Sequence, residues 1–143
     1  LNVMAKEVEE LETAAKEVDG KNAITVFDDT QTYCWNEFLQ NVTDEKIRVL
    51  DNYFKQTDEH GMAFLYHLME LLRRNSEKIN FARYVYLLSR MEPDENKPLQ
   101  RKAYREFSKK MYEWSKKPKD RRELITAIYL YVYLHRKEKE EEE

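Results

Sequence analysis

Apolar residues recur at helical spacing along most of the chain. Leu1, Met4, Val8, Leu11, Ala15 and Val18 mark the inner stripe of an amphipathic helix over 1–19. Glu7, Glu9, Glu10 and Glu12 lie outside it, and Gly20 is placed as a C-cap. Residues 21–31 break the period. Ile24, Thr25, Val26 and Phe27 have strand character, but no segment nearby offers a clear partner, so the stretch reads as an extended linker that plugs the core. Tyr33, Trp35, Phe38, Leu39 and Val42 predict a helix over 32–42. Thr43, followed by Asp44 and Glu45, predicts the N-cap of the next one. Its inward residues are Ile47, Leu50, Tyr53 and Phe54, and it ends near Asp58. MAFLYHLMELLRRN, at 62–75, is a strongly apolar helix. Ser76 and Glu77 open another, filled by Ile79, Phe81, Ala82, Val85, Tyr86, Leu88 and Met91, with Pro93 beyond its end.

The stretch from Pro98 to Lys137 carries the sharpest pattern. Pro98 suits the first position of a helix. At about 100° per residue, Leu99, Ala103, Phe107, Met111 and Trp114 fall within about 120° of arc. Lys102, Arg105, Lys109 and Lys116 fall opposite, and Pro118 ends the helix. Asp120 and Glu123 then match a capping box. IYLYVYLH alternates like a strand, yet the cap, the length and the missing hairpin partner favour a helix over 121–137. That helix is apolar nearly all round and belongs at the centre of a bundle or between two subunits. The expected fold is all-α: a single domain of about five to six helices over 1–137, with a disordered acidic tail at 138–143.

Composition supports helices. Only two Gly and three Pro occur, too few for an antiparallel all-β fold. Ten Tyr argue against disorder. Cys34 is the single cysteine and reads as a small buried residue. No signal peptide and no membrane span are evident, so a cytoplasmic protein without membrane contact is expected. The net charge of −3 conceals a separation. Residues 1–72 hold 6 basic and 15 acidic side chains, residues 73–137 hold 18 and 8, and residues 138–143 hold one and five. Nets of −9, +10 and −4 make a dipolar molecule with one face for polyanions.

Catalytic chemistry finds little support. His60, His67 and His135 are scattered. His67 and Glu70 lack the second copy that a di-iron bundle needs. No glycine-rich phosphate loop or dinucleotide fingerprint occurs. The expectation is therefore no metal, no cofactor and no enzyme. Basic zones carry the functional signal: Arg73, Arg74, Lys78 and Arg83 in one, Lys102, Arg105, Lys109 and Lys116 in the other. Such side chains neutralise phosphates without reading bases. A merely solvated helix surface is the competing reading. Tyr129, Tyr131 and Tyr133 are assigned to the core.

Three segments bear a resemblance to a known family. They are Thr43-Asp-Glu-Lys-Ile-Arg48, Phe81-Ala-Arg-Tyr-Val-Tyr-Leu-Leu-Ser-Arg90, and Glu123 through Arg136. Over about 43–137 the chain resembles the small helical subunit of type III-A CRISPR–Cas effector (Csm) complexes. Leu134 interrupts that family's Tyr-His pair, and Arg136 replaces a Lys, departures that leave open another small helical subunit such as the type III-B counterpart. The resemblance implies a non-catalytic subunit in several stacked copies, beside the backbone and large subunits, contacting guide RNA and target RNA. It extends the RNA role to Arg83 and Arg90. A helical protein–protein adaptor with no RNA contact is the alternative.

Overall fold

The computed structural model describes residues 23–25, 32–74 and 78–142. The helix expected over 1–19 lies outside them. Two three-residue strands, β1 (Ala23–Thr25) and β2 (Thr32–Cys34), pair antiparallel, with Ile24 opposite Tyr33. Ile24 and Thr25 therefore do find a partner. It lies within what the pattern assigns to a helix starting at 32, so that helix begins three residues later. Tyr33 is buried, and its hydroxyl donates to the Arg122 carbonyl at 2.9 Å and pairs with the Thr126 hydroxyl at 2.5 Å. Cys34, expected to be buried, is exposed, because alternation along β2 turns it away from the face Tyr33 buries.

A helical run follows as α1 (Trp35–Glu37), a π-helical segment (Phe38–Ile47) and α2 (Arg48–Gln56). No break occurs at Thr43, so its expected N-cap role is corrected. Phe38, Val42 and Lys46 are the buried residues of the π segment. Their constant spacing of four matches a turn wider than 3.6 residues. Then come α3 (Met62–Arg73), α4 (Lys78–Arg90), α5 (Pro98–Lys116) and α6 (Pro118–Glu142). The protein is thus an all-α bundle with a minimal hairpin beside it. α6 begins at Pro118, two residues before the expected cap Asp120, and runs on through the acidic residues to Glu142.

α6 is the central element and packs against α3, the π segment, α5 and α2. Leu124, Ala127 and Ile128 are fully buried there, beside Leu65, Leu68 and Met69 of α3. Burying each large aliphatic chain contributes roughly 1.5–3 kcal/mol. α4 and α5 are joined by reciprocal tyrosine bonds. The buried Tyr84 hydroxyl donates to the Met111 carbonyl at 2.8 Å, and the buried Tyr104 hydroxyl donates to the Leu88 carbonyl. Burial raises both phenols well above their ordinary range. Tyr53 stacks on Phe107 at 4.3 Å and binds α2 to α5.

One polar cluster lies inside this core. The Lys46 ammonium is fully buried, 3.2 Å from Glu123, 3.3 Å from Asp120 and 2.9 Å from Glu45. It also sits 5.0 Å from the centre of the Trp114 ring. Desolvation pulls its pKa down, but the hydrogen bond to Glu45 and the charges of Glu123 and Glu45 outweigh that, leaving it above its ordinary value. Asp120 and Glu123, read from the sequence as a cap, instead hold this lysine.

Candidate nucleic-acid interface

The outer face of α5 carries its cations as the period requires. Lys102, Arg105, Lys109 and Lys116 are exposed and fall within about 60° of arc. They extend over about 21 Å of axis, the rise of about six base pairs. Inward, the helix buries Tyr104, Phe107, Met111, Trp114 and Ser115. Leu99, expected to lie inward, stands in the first turn of the helix and is 80% exposed.

A groove of about 360 Å³ runs between α4 and α5. Ser89, Ser108, Tyr104 and Tyr112 line it, with Arg105 and Lys109 on its wall. The Lys116 ammonium lies 4.3 Å from the centre of the Tyr112 ring, so this cation covers an aromatic face as well as facing solvent. Arg105 donates through Nε to Glu92 at 2.6 Å, and Arg101 reaches the same carboxylate at 3.3 Å. The Arg105 hydrogen bond, with the charges of Arg105 and Arg101, holds the Glu92 carboxyl below its usual range. Lys102 and Lys109 are not ion-paired among the described residues.

The structure divides the remaining expected contacts. Arg73 bonds the Tyr129 hydroxyl and lies 3.5 Å from Glu70, which also takes Arg74 at 3.7 Å. Both arginines are thereby partly neutralised at the end of α3. Lys78, Arg83 and Arg90 are exposed on α4 and not ion-paired among the described residues. Arg83 and Arg90 lie about 120° around α4 from the groove-lining Ser89. They form a face of their own, together with Ile79 and Tyr86. Those two residues, expected inside, are 54% and 65% exposed, since α4 buries Tyr84 and Leu88 instead. No periodicity argument could choose between Tyr84 and Tyr86. The tyrosine that finds an acceptor across the helix pair is the one that goes in.

Fold and charge together define an all-α helical domain with cations gathered on α4 and α5. Comparison with known proteins gives the family. Residues 51–137, more than half of the chain, match the second helical domain of the Cmr2 subunit of the CRISPR RNA silencing complex, and the chain belongs to that family. It is 41% identical over 132 residues to a CRISPR system single-strand-specific deoxyribonuclease Cas10/Csm1 (subtype III-A) of Mycobacterium tuberculosis (strain ATCC 25618 / H37Rv), covering 92% of this chain and 16% of the relative. A Streptococcus thermophilus relative of the same description is 37% identical over 135 residues, covering 92% of this chain and 18% of the relative. One from Enterococcus italicus is 34% identical over 128 residues, covering 90% and 15%. The chain thus spans about one sixth of the length of the curated relatives it matches.

These matches support a type III CRISPR effector component and correct two expectations. The relatives carry the name of an enzyme, which overturns the expectation of a protein that is not one. The matching family is a helical domain of a larger subunit, where the sequence resemblance points to the small subunit. The stacking of several copies rests on the small-subunit resemblance alone and goes no further. Among the described residues no helix is long and apolar enough to cross a membrane.

Proposed function

We propose that this chain serves as a helical module of the large subunit of a type III CRISPR effector, working in the cytoplasm and contacting guide RNA or target RNA through its basic helix faces. The relatives' action on single-stranded DNA is proposed for the whole protein that includes such a module. The module's share is to hold nucleic acid and the neighbouring backbone subunits in position. The observation that carries the reading is the α5 stripe, where Lys102 and Lys109 are exposed and make no ion pair among the described residues, and Arg105 and Lys116 share their face. Cations fixed on a rigid helix release counterions from phosphates at little ordering cost, so such contact is tolerant of sequence and sensitive to salt.

Fluorescence anisotropy with a labelled RNA, single-stranded or paired with its complement, tests the proposal. Binding is expected at low salt and falls steeply as salt rises. Replacing Lys102 and Lys109 by Ala lowers the slope of log affinity against log salt by about 1.4 on a single strand. Absence of binding at low salt, or charge reversal at Lys102, Arg105 and Lys109 without effect, sinks the reading for this stripe.

A further inference from the structure

α4, Lys78–Arg90, contains three cationic side chains and no carboxylate. Ile79, Arg83, Tyr86 and Arg90 lie within about 60° of arc on its outer side. Tyr86 differs from the other exposed tyrosines. Tyr66 meets the edge of Tyr129 at 6.4 Å, Tyr112 is covered by Lys116, and Lys137 lies 6.0 Å from Tyr133. Tyr86 is 65% exposed and has no ring or cation over it among the described residues. One turn away on each side stand Arg83 and Arg90, which are not ion-paired among the described residues.

We propose that this face of α4 binds a single-stranded nucleic acid, with a base stacked on the Tyr86 ring and the flanking phosphates on Arg83 and Arg90. The proposal rests on the nucleic-acid reading above and adds a second, chemically different contact to it. The α5 stripe offers charge alone and takes duplex or single strand. A free aromatic face takes a base only where that base is not already stacked in a duplex. Arg83 and Arg90 are seven residues apart, about 10.5 Å along the axis, with Tyr86 between them. That leaves room for one base over the tyrosine between two phosphate contacts. Ile79 extends the apolar surface beside the ring. A protein partner is the weaker fit, because the face has two fixed cations and no anion to match a mixed surface.

The experiment uses the full chain and three fluorescein-labelled probes: a mixed-sequence RNA, its DNA equivalent, and the RNA paired with its complement. Tyr86→Ala is expected to weaken single-strand binding roughly 5- to 150-fold, the range for losing one stacked base. It leaves duplex binding unchanged. Tyr86→Phe keeps the stack and binds like the parent. Arg83→Ala and Arg90→Ala weaken all three probes and lower the salt slope by about 0.7 each on a single strand. Equal losses on RNA and DNA mean that base and phosphate suffice. A loss confined to one strand type names the ligand, and either result supports the proposal. Parental single-strand affinity in Tyr86→Ala, with the α5 variants still impaired, overturns the stacking site and leaves the α5 reading intact. Equal losses on duplex and single strand in Tyr86→Ala also overturn it. No binding by the parent to any probe overturns both. Because Tyr86 is exposed, circular dichroism of the Ala variant is expected to match the parent, so a lost fold does not confuse the result.

Discussion

Replacing Lys46 by Met leaves a similar volume in the core and removes the charge. Glu123 is 1% exposed and loses its ammonium partner at 3.2 Å. One of its carboxylate oxygens, Oε2, already has no hydrogen-bond partner. Attraction between the two charges is about 5 kcal/mol at an effective dielectric of about 20. Desolvating each ion costs several kcal/mol, so the intact pair is close to neutral against an apolar replacement. Breaking it is another matter, because the carboxylate stays buried alone at a cost of about 3–5 kcal/mol. At about 3 °C per kcal/mol for a chain of this size, the midpoint of melting falls by about 10–15 °C. Lys46→Met with Glu123→Leu is expected to recover most of that loss. The parent's share of stability from Lys46 has a defined pH range. Its folded pKa lies above the ordinary 10.5, so the contribution is complete below that value and is lost as the pH rises through the folded pKa. Urea denaturation followed by circular dichroism, on the parent, both single variants and the double, closes the cycle. Additive losses, or a Lys46→Met cost below about 1 kcal/mol, refute the buried-pair reasoning.

Three further outcomes follow from the same structure. Glu92→Gln frees Arg105 and leaves Arg101 paired with Glu95 alone, so RNA affinity rises at low salt; it also flattens the acid limb of stability, since a depressed carboxyl stabilises above its ordinary 4.5 and the contribution is lost as pH falls through the folded pKa. His60 is packed 4.7 Å from Phe64 and 5.0 Å from Tyr104, and burial lowers its pKa below 6.5. Stability should therefore decline as the pH drops below 6.5 toward the folded value, and urea titrations of His60→Phe should show a weaker decline. Cys34, being exposed, should react with a thiol reagent in the native protein as fast as in urea, and protection would contradict the geometry of β2.

Much of the scaffold and of the α5 stripe was legible because both depend on one helix at a time. A period of 3.6 residues brings Lys102, Arg105, Lys109 and Lys116 to one side whatever packs behind them. The same period left Ile79, Tyr86 and Leu99 misplaced. It defines an arc of apolar residues, and only a neighbouring helix decides which part of that arc is covered. Tyr84 went inside because the Met111 carbonyl was within reach of its hydroxyl. Lys46 carried no signal at all. Two of its carboxylates, Asp120 and Glu123, come from 74 and 77 residues further along the chain.

The sequence by itself therefore determined the all-α class, the central apolar helix and the basic face of α5, since local periodicity and charge order follow from neighbours along the chain. The tertiary structure alone decided the β1–β2 pair, the burial of Lys46 and the exposure of Tyr86. Each of these depends on a partner that folding brings near, and a pattern of single positions holds no record of distance in space.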